Sequence, residues 1–150
     1  MARAPVYAVD LWTVGTSKKG RGFRRLQQGE AQGSSKFHTQ AVLDVFTQRM
    51  ARYSQGLVEQ RMGASVEVAA TFRPRTIGLL FIDAEHTYEA CRADFEAWSP
   101  LMTEGGIIAL HDYKRAGNGG VQRFIDEMLA VSSRWQQGEI VGSMVVLRAR

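Results

Sequence analysis

The 150-residue chain is predicted to fold as an α/β sandwich around a mostly parallel sheet. Three observations carry that expectation. Two short apolar runs, Ile77–Ile82 and Ile107–Leu110, each end in a polar cluster, Asp83-Ala84-Glu85-His86 and His111-Asp112-Tyr113. Between them Tyr88, Cys91, Phe95, Trp98 and Leu101 recur on one face of a 3.6-residue period, the mark of an amphipathic helix. The patterned segments as a whole run β-loop-α-β-α-β-α-β-α-β-β. A right-handed strand-helix-strand crossover makes its two strands parallel, so both polar clusters emerge at one carboxyl edge. Open α/β sheets bind their ligands there.

Each element has its own signal. Val6–Leu11 is a short β-rich run carrying Asp10 near its end. Thr13–Ser35 is rich in Gly, Ser, Gln, Lys and Arg without sustained periodicity and reads as a loop. A loop of that length inside a compact domain is usually a lid or binding segment, or disordered. Phe37, Ala41, Val42, Val45, Phe46, Met50 and Tyr53 trace a helical face, with Ser34 or Ser35 as N-cap and Gly56 beyond its end. Leu57–Met62 reads as a strand, and Ser65–Phe72 as a short helix closed by Pro74. Val121, Phe124, Ile125, Met128 and Leu129 mark a further helix opened by Asn118. Trp135–Val141 and Ser143–Arg148 close the chain as an antiparallel hairpin turning at Gly142.

Composition bounds the function. At this length residues 1–150 are expected to form a single domain, with 45% hydrophobic content suited to one core. No apolar run approaches a membrane span, and residues 1–30 lack a signal-type apolar core. The single cysteine, Cys91, falls on the apolar helix face and fits a reducing, cytoplasmic setting. The net charge of +4 is uneven, since residues 1–36 hold seven Lys/Arg against two acids. That basic segment suits an anionic partner or is a solvated loop. The excess falls on Thr16–Arg25, which has no aromatic interleaving except Phe23, so nucleic acid is not the expected partner.

The carboxyl edge has chemistry of its own. Asp83 and Asp112, at the ends of neighbouring strands, place two hard oxygen ligands together and suit Mg²⁺. His86 or His111 is placed to act as general base, since imidazole titrates near neutral pH. Plainer readings stand beside these. Asp83 can cap the following helix, His86 can be an inert neighbour of that helix, His111 can be a satisfied strand-end residue, and Tyr88 reads as core.

The stretch FIDAEHTYEACRADFEAWSPLMTEGGIIALHDY resembles the second half of a class I S-adenosylmethionine-dependent methyltransferase. It is most similar to the branch with F-I-D-x-x-H-x-Y-E and G-G-x-x-x-x-H-D motifs, and the likeness runs from about Ile77 to Leu129. The resemblance implies a Rossmann-like methyltransferase sandwich with an antiparallel C-terminal strand pair. It implies S-adenosylmethionine as cofactor, held by Asp10 at the ribose, with Leu11, Trp12 and Ser65 around the adenosine and Asp83 beside it. It also implies Asp83 and Asp112 as ligands of a divalent metal, Mg²⁺, with Asp83, His86 and His111 as the catalytic set. Ala64 stands where the family often has an acid.

The resemblance departs at the start, because only Met1–Pro5 precede the strand that matches the family's second. The first strand and its G-x-G-x-G turn are missing, so the chain is expected to be an N-terminally incomplete methyltransferase. The expected function is O-methylation of a small hydroxylated molecule. The alternative is a truncated, non-catalytic module that forms a homo-oligomer or pairs with a partner through exposed strand edges. Hydroxylase-like proteins share the branch, and these residues alone do not separate them from methyltransferases.

Overall fold

The computed structural model describes residues 4–12, 35–114 and 119–150. The chain forms two compact units, Met1–Val68 and Ala69–Arg150. The expected loop at Thr13–Ser35, apart from its last residue, and the expected cap at Asn118 lie outside the described residues.

In the first unit, β1 (Val6–Asp10) pairs in parallel with β2 (Val58–Met62), in register from Val6↔Val58 to Asp10↔Met62. The long helix α1 (Ser35–Tyr53) connects them. It stops where Gln55 and Gly56 take left-handed backbone, φ 51° and 77°, which ends helical hydrogen bonding. Gln60 Nε2 donates to Thr47 Oγ1 at 2.7 Å, tying α1 to β2. The helix expected over Ser65–Phe72 is a short one, α2 (Ser65–Ala69). A turn bond from Phe72 N–H to the Ala69 carbonyl follows it, and the Pro74 that closes the segment leaves no room for more.

The second unit is a four-stranded sheet in the order β3-β4-β6-β5. β3 (Ile77–Ile82) and β4 (Met102–Leu110) are parallel, and β6 (Met144–Ala149) runs antiparallel to both β4 and β5 (Trp135–Val141). α3 (Tyr88–Trp98) forms the β3–β4 crossover, and α4 (Gly119–Val131) leads into the closing hairpin. The fold is therefore the expected Rossmann-like α/β arrangement with an antiparallel C-terminal pair. β1–β2 and β3–β6 are separate ladders, and among the described residues no strand pairs with the outer edge of β3.

Boundaries in the second unit also differ from the sequence expectation. α3 stops at Trp98, because Pro100 tightens the next turn into the 3₁₀ segment Ser99–Leu101. β4 begins five residues early, at Met102, and carries a bulge where its partners of Ile77 and Leu79 jump from Met102 to Ile107. Two glycines make that bulge possible: Gly105 has φ 68°, and a Cβ on Gly106 would lie 2.8 Å from the Thr103 carbonyl oxygen. Ser143 belongs to the β5–β6 turn and not to the last strand, because Val141 pairs with Met144 and leaves Gly142-Ser143 as a two-residue loop. Gly142, at φ 61°, supplies the positive φ that such a turn requires.

The core of the second unit lies between the sheet and its two helices. Ile108, Leu110, Val145 and Leu147 project from β4 and β6 onto Cys91 and Phe95 of α3 and Val121, Phe124 and Ile125 of α4. Phe95 meets Phe124 and Trp135 edge-on, each at 5.5 Å between ring centroids. Cys91 is part of this core, as its place on the helix face implied, and burial pushes its thiol up to about 12. We expect the native chain to be inert to a disulfide-exchange reagent at pH 8 and to react once unfolded; fast labelling of the folded protein would contradict this core.

Candidate functional site

The parallel pairing of β3 and β4 builds the site. Ile82 pairs with Leu110 at the ends of the two strands, and the His111 N–H donates to the Ile82 carbonyl at 3.0 Å. Asp83 and His111-Asp112 therefore leave the sheet side by side. Helix α3 does not use Asp83 as its cap. Thr87 takes that place, its Oγ1 accepting from the Ala90 N–H at 3.2 Å. Asp83 is thus left for other contacts, and His86 is held one residue ahead of the cap.

Two carboxylates and two imidazoles converge. His86 Nε2 lies 3.3 Å from Asp83 Oδ1 and 3.2 Å from Asp112 Oδ2. His111 Nδ1 lies 3.4 Å from Asp83 Oδ1 and 3.2 Å from Asp112 Oδ1. Asp112 therefore holds one imidazole on each oxygen. Its side chain is 1% exposed, against 44% for Asp83. A buried carboxylate is costly unless hydrogen-bonded, and these contacts offset part of that cost. It also has φ 59°, a left-handed conformation that Asp and Asn adopt more readily than other side chains.

The other side of His111 is occupied as well. Ser143 Oγ lies 3.2 Å from His111 Nε2, reaching it from the hairpin turn, and the Phe81 ring stands edge-on at 6.4 Å. Ser143 was not visible in the sequence as a site residue. Its signal, a Gly-Ser pair between two strands, marks a turn but not what the turn faces. Gly120 was missed for a similar reason. A Cβ there would lie 2.6 Å from the Tyr88 nitrogen and 2.7 Å from the His86 carbonyl oxygen. The first turn of α4 is seated on the backbone that carries His86.

Tyrosines lock the surrounding loops to α4. Tyr88, whose ring packs on Phe124, donates to Glu127 Oε2 at 2.6 Å. Tyr113 is buried and donates to Asp126 Oδ1 at 2.7 Å, which anchors the segment carrying His111 and Asp112. Burial, and then the Asp126 hydrogen bond, raise the Tyr113 hydroxyl from 10.0 to about 12. A group whose pKa is raised in the folded state contributes stability that is present below its unfolded value and lost as pH rises through the folded one. Stability is therefore expected to fall between pH 10.0 and about 12, and to fall less in Tyr113→Phe. Urea midpoints measured across that window check the difference.

The remaining expected site residues lie in the first unit. Asp10 ends β1, and its Oδ1 accepts from the Trp12 N–H at 2.7 Å, leaving Oδ2 for a further donor. Leu11 is partly buried between them. Trp12 has φ 53° and is buried, its ring 4.4 Å from that of Phe46. Its Nε1 is buried with no hydrogen-bond partner among the described residues. Ser65 opens α2.

The expected metal pair is a different matter. Asp83 and Asp112 do converge, with Asp83 Oδ1 and both oxygens of Asp112 in contact with the two imidazoles. Among the described residues no group of three or more His, Cys, Asp or Glu is arranged to hold an ion. As arranged, these side chains form an imidazole–carboxylate network with Asp83 Oδ2 outside it.

Comparison with known proteins bears on the family and the fold. The profile of the family described as "Methyltransferase domain" matches residues 2–113, about three quarters of the chain. The chain belongs to this methyltransferase domain family. Solved structures share its fold at low identity. The O-methyltransferase NovP superposes with a TM-score of 0.62 at 16% identity, over 97% of this chain and 60% of its own. The O-methyltransferase TomG from Streptomyces achromogenes, solved in complex with SAM, gives 0.53 at 24% identity, over 73% of this chain and 57% of its own. An rRNA methylase from Streptococcus thermophilus gives 0.58 at 12% identity, over 97% and 73%. The methyltransferase domain described here spans less than two thirds of the length of both O-methyltransferases. No helix among its described residues is long and apolar enough to cross a membrane.

Proposed function

We propose that this domain transfers a methyl group from S-adenosylmethionine to a hydroxyl of a small molecule, in a reducing cytoplasmic setting. The observation that carries the reading is Asp112, a buried carboxylate gripping His86 and His111 from opposite oxygens at the sheet's carboxyl edge. The cofactor supplies an electrophilic methyl on a sulfonium. Asp10 Oδ2 suits its ribose hydroxyls, and the buried, unpartnered Trp12 Nε1 is a donor in want of an acceptor on the same segment. Leu11, Ser65 and Asp83 remain proposed neighbours of the cofactor on the strength of the family resemblance.

The geometry separates the two histidines. We read Nε2 of His86 and Nδ1 of His111 as the N–H donors, since each lies against two carboxylates. The outer nitrogen of His111 is covered by Ser143. His86 Nδ1 has no such cover among the described residues, so His86 is the base. It would take the acceptor's hydroxyl proton as that oxygen displaces S-adenosylhomocysteine from the methyl carbon, the carbon–sulfur pair leaving on sulfur, and the carboxylates would stabilise the imidazolium that results. His111, braced by Ser143, Asp112 and Asp83, holds the network in shape.

The test is calorimetric titration of the chain with S-adenosylhomocysteine, followed by a screen of hydroxylated small molecules. Saturable one-to-one binding supports the reading, and a folded sample without binding overturns it. Metal assistance is separable by exhaustive chelation. Unchanged turnover leaves proton transfer to the imidazoles, whereas turnover that returns only with Mg²⁺ restores the ion to Asp83 and Asp112.

A second reading has one observation in its favour. Leu79 and Phe81 of β3 are 68% and 55% exposed, on a strand whose outer edge is unpaired among the described residues. A non-catalytic module pairing with a second copy along that edge would use them. Sedimentation of the chain and of Leu79→Lys decides: a dimer dissolved by the lysine supports this reading, and a monomer throughout removes it.

A further inference from the structure

We propose a second binding site at the opposite end of the sheet, a cleft that takes a small phosphate-bearing anion. It encloses about 330 Å³ and is lined by Arg75, Thr103, Glu104, Arg134 and Arg150. The topology brings these residues together from four segments. Arg75 precedes β3, Thr103 and Glu104 lie at the start of β4, Arg134 precedes β5, and Arg150 follows β6. β4 runs parallel to β3 and antiparallel to β6, and Trp135 at the start of β5 pairs with Ala149 at the end of β6. All four segments therefore meet at the amino edge of the parallel pair, away from Asp83 and His111.

Three arginines line one cleft alongside a single acidic side chain, Glu104. Among the described residues none of the three forms an ion pair. Like charges gathered in a concave site repel one another and focus a positive potential into it. Two are also held in position. Arg134 Nη2 donates to the Met102 carbonyl at 3.2 Å and its guanidinium lies 5.3 Å from the Trp135 ring centroid, while Arg150 Nη1 donates to the Ser133 carbonyl at 3.5 Å. Each of those bonds uses one of a guanidinium's five N–H donors, so most remain for an oxyanion. Capping of backbone carbonyls thus explains part of Arg134 and Arg150. It explains nothing of Arg75, nor the shared cleft.

The ligand class follows from charge, shape and volume. Three forked donors match the several oxygens and double charge of a phosphate better than the single charge of a carboxylate. The volume exceeds that of bare phosphate and is at the lower end for small-molecule pockets, which leaves room for a phosphate ester or a diphosphate.

The experiment is an amide-resolved NMR titration of the ¹⁵N-labelled chain with inorganic pyrophosphate, with sodium chloride adjusted to hold ionic strength constant. Saturable shifts are expected at residues 75–77, 102–104, 134–135 and 149–150, with those at 83–86 and 111–113 unmoved. Arg75→Gln, an exposed residue outside the core, is expected to weaken binding about tenfold. Shifts that never saturate, or an affinity unaltered in Arg75→Gln, would overturn the site. A short single-stranded RNA that moves the same residues more tightly than pyrophosphate, with an affinity collapsing as salt rises, would overturn the small-molecule assignment. None of these outcomes depends on methyl transfer, so the site and the proposed activity stand or fall separately.

Discussion

Asp112→Asn is expected to lower the rate of methyl transfer by about 10²–10⁴-fold, the range that a positioned general base contributes. The amide keeps the shape of the side chain and tolerates the left-handed backbone at φ 59°, so the fold survives. What changes is the charge at the centre of the network. One carboxylate oxygen is replaced by an NH₂ that cannot accept from an imidazole, so either His86 or His111 loses its contact with residue 112 and keeps only Asp83. The imidazolium formed when His86 takes a proton also loses the buried negative charge beside it. Steady-state kinetics with the acceptor found by screening would show the loss in kcat, with cofactor affinity little changed. Asp83→Asn should be milder, because Asp83 is 44% exposed and its oxygen is the more distant partner of both rings. Full turnover in Asp112→Asn would remove the proposed mechanism.

Gly120→Ala is expected to destabilise the fold by about 1–3 kcal/mol, the usual cost of forcing an extra carbon into a packed contact. The new Cβ would meet the Tyr88 nitrogen at 2.6 Å, the His86 carbonyl oxygen at 2.7 Å and the Thr87 carbonyl carbon at 2.9 Å. These are backbone atoms, so no side chain can swing aside. Either α4 lifts away or the His86 segment shifts, and the second outcome displaces the proposed base. Gly119→Ala is the matched control, since its Cβ would meet nothing within 4 Å. It should be neutral or slightly stabilising. Urea denaturation of both variants, with turnover measured on each, tests the pair. Equal behaviour of the two would mean that α4 is not seated as described.

The elements were largely legible in the sequence because their signals are local. The apolar face of α3, the runs of β3 and the closing strands, and the capping or glycine residues at helix ends all act within a few residues. Where boundaries moved, a local feature had been read too weakly: Pro100 cut α3 short, and Gly105-Gly106 allowed β4 to begin before its apolar run. The meeting of Asp83 with His111-Asp112 was legible for a further reason. A strand-helix-strand crossover has one favoured hand, so the parallel pairing that joins two strand ends follows from order alone.

Pairings between distant segments were not legible. The sequence presented Asp83 and Asp112 as a metal pair, since hard carboxylates at neighbouring strand ends suit a cation. Only the tertiary structure shows Asp83 Oδ1 and both Asp112 oxygens in contact with imidazoles, because side-chain direction at a strand end depends on backbone conformation such as φ 59° at Asp112. Ser143 reaches His111 across 32 residues, and Gly120 meets the His86 backbone across a helix; neither contact leaves a periodic trace. The arginine cleft gathers residues from four segments whose spacing in the chain means nothing until β6 folds back beside β4. Order, periodicity and local punctuation thus determined the class of fold and the edge at which its chemistry sits. Which atoms hold a proton, and which charges share a surface, were decided by packing at ångström distances that one-dimensional spacing does not encode.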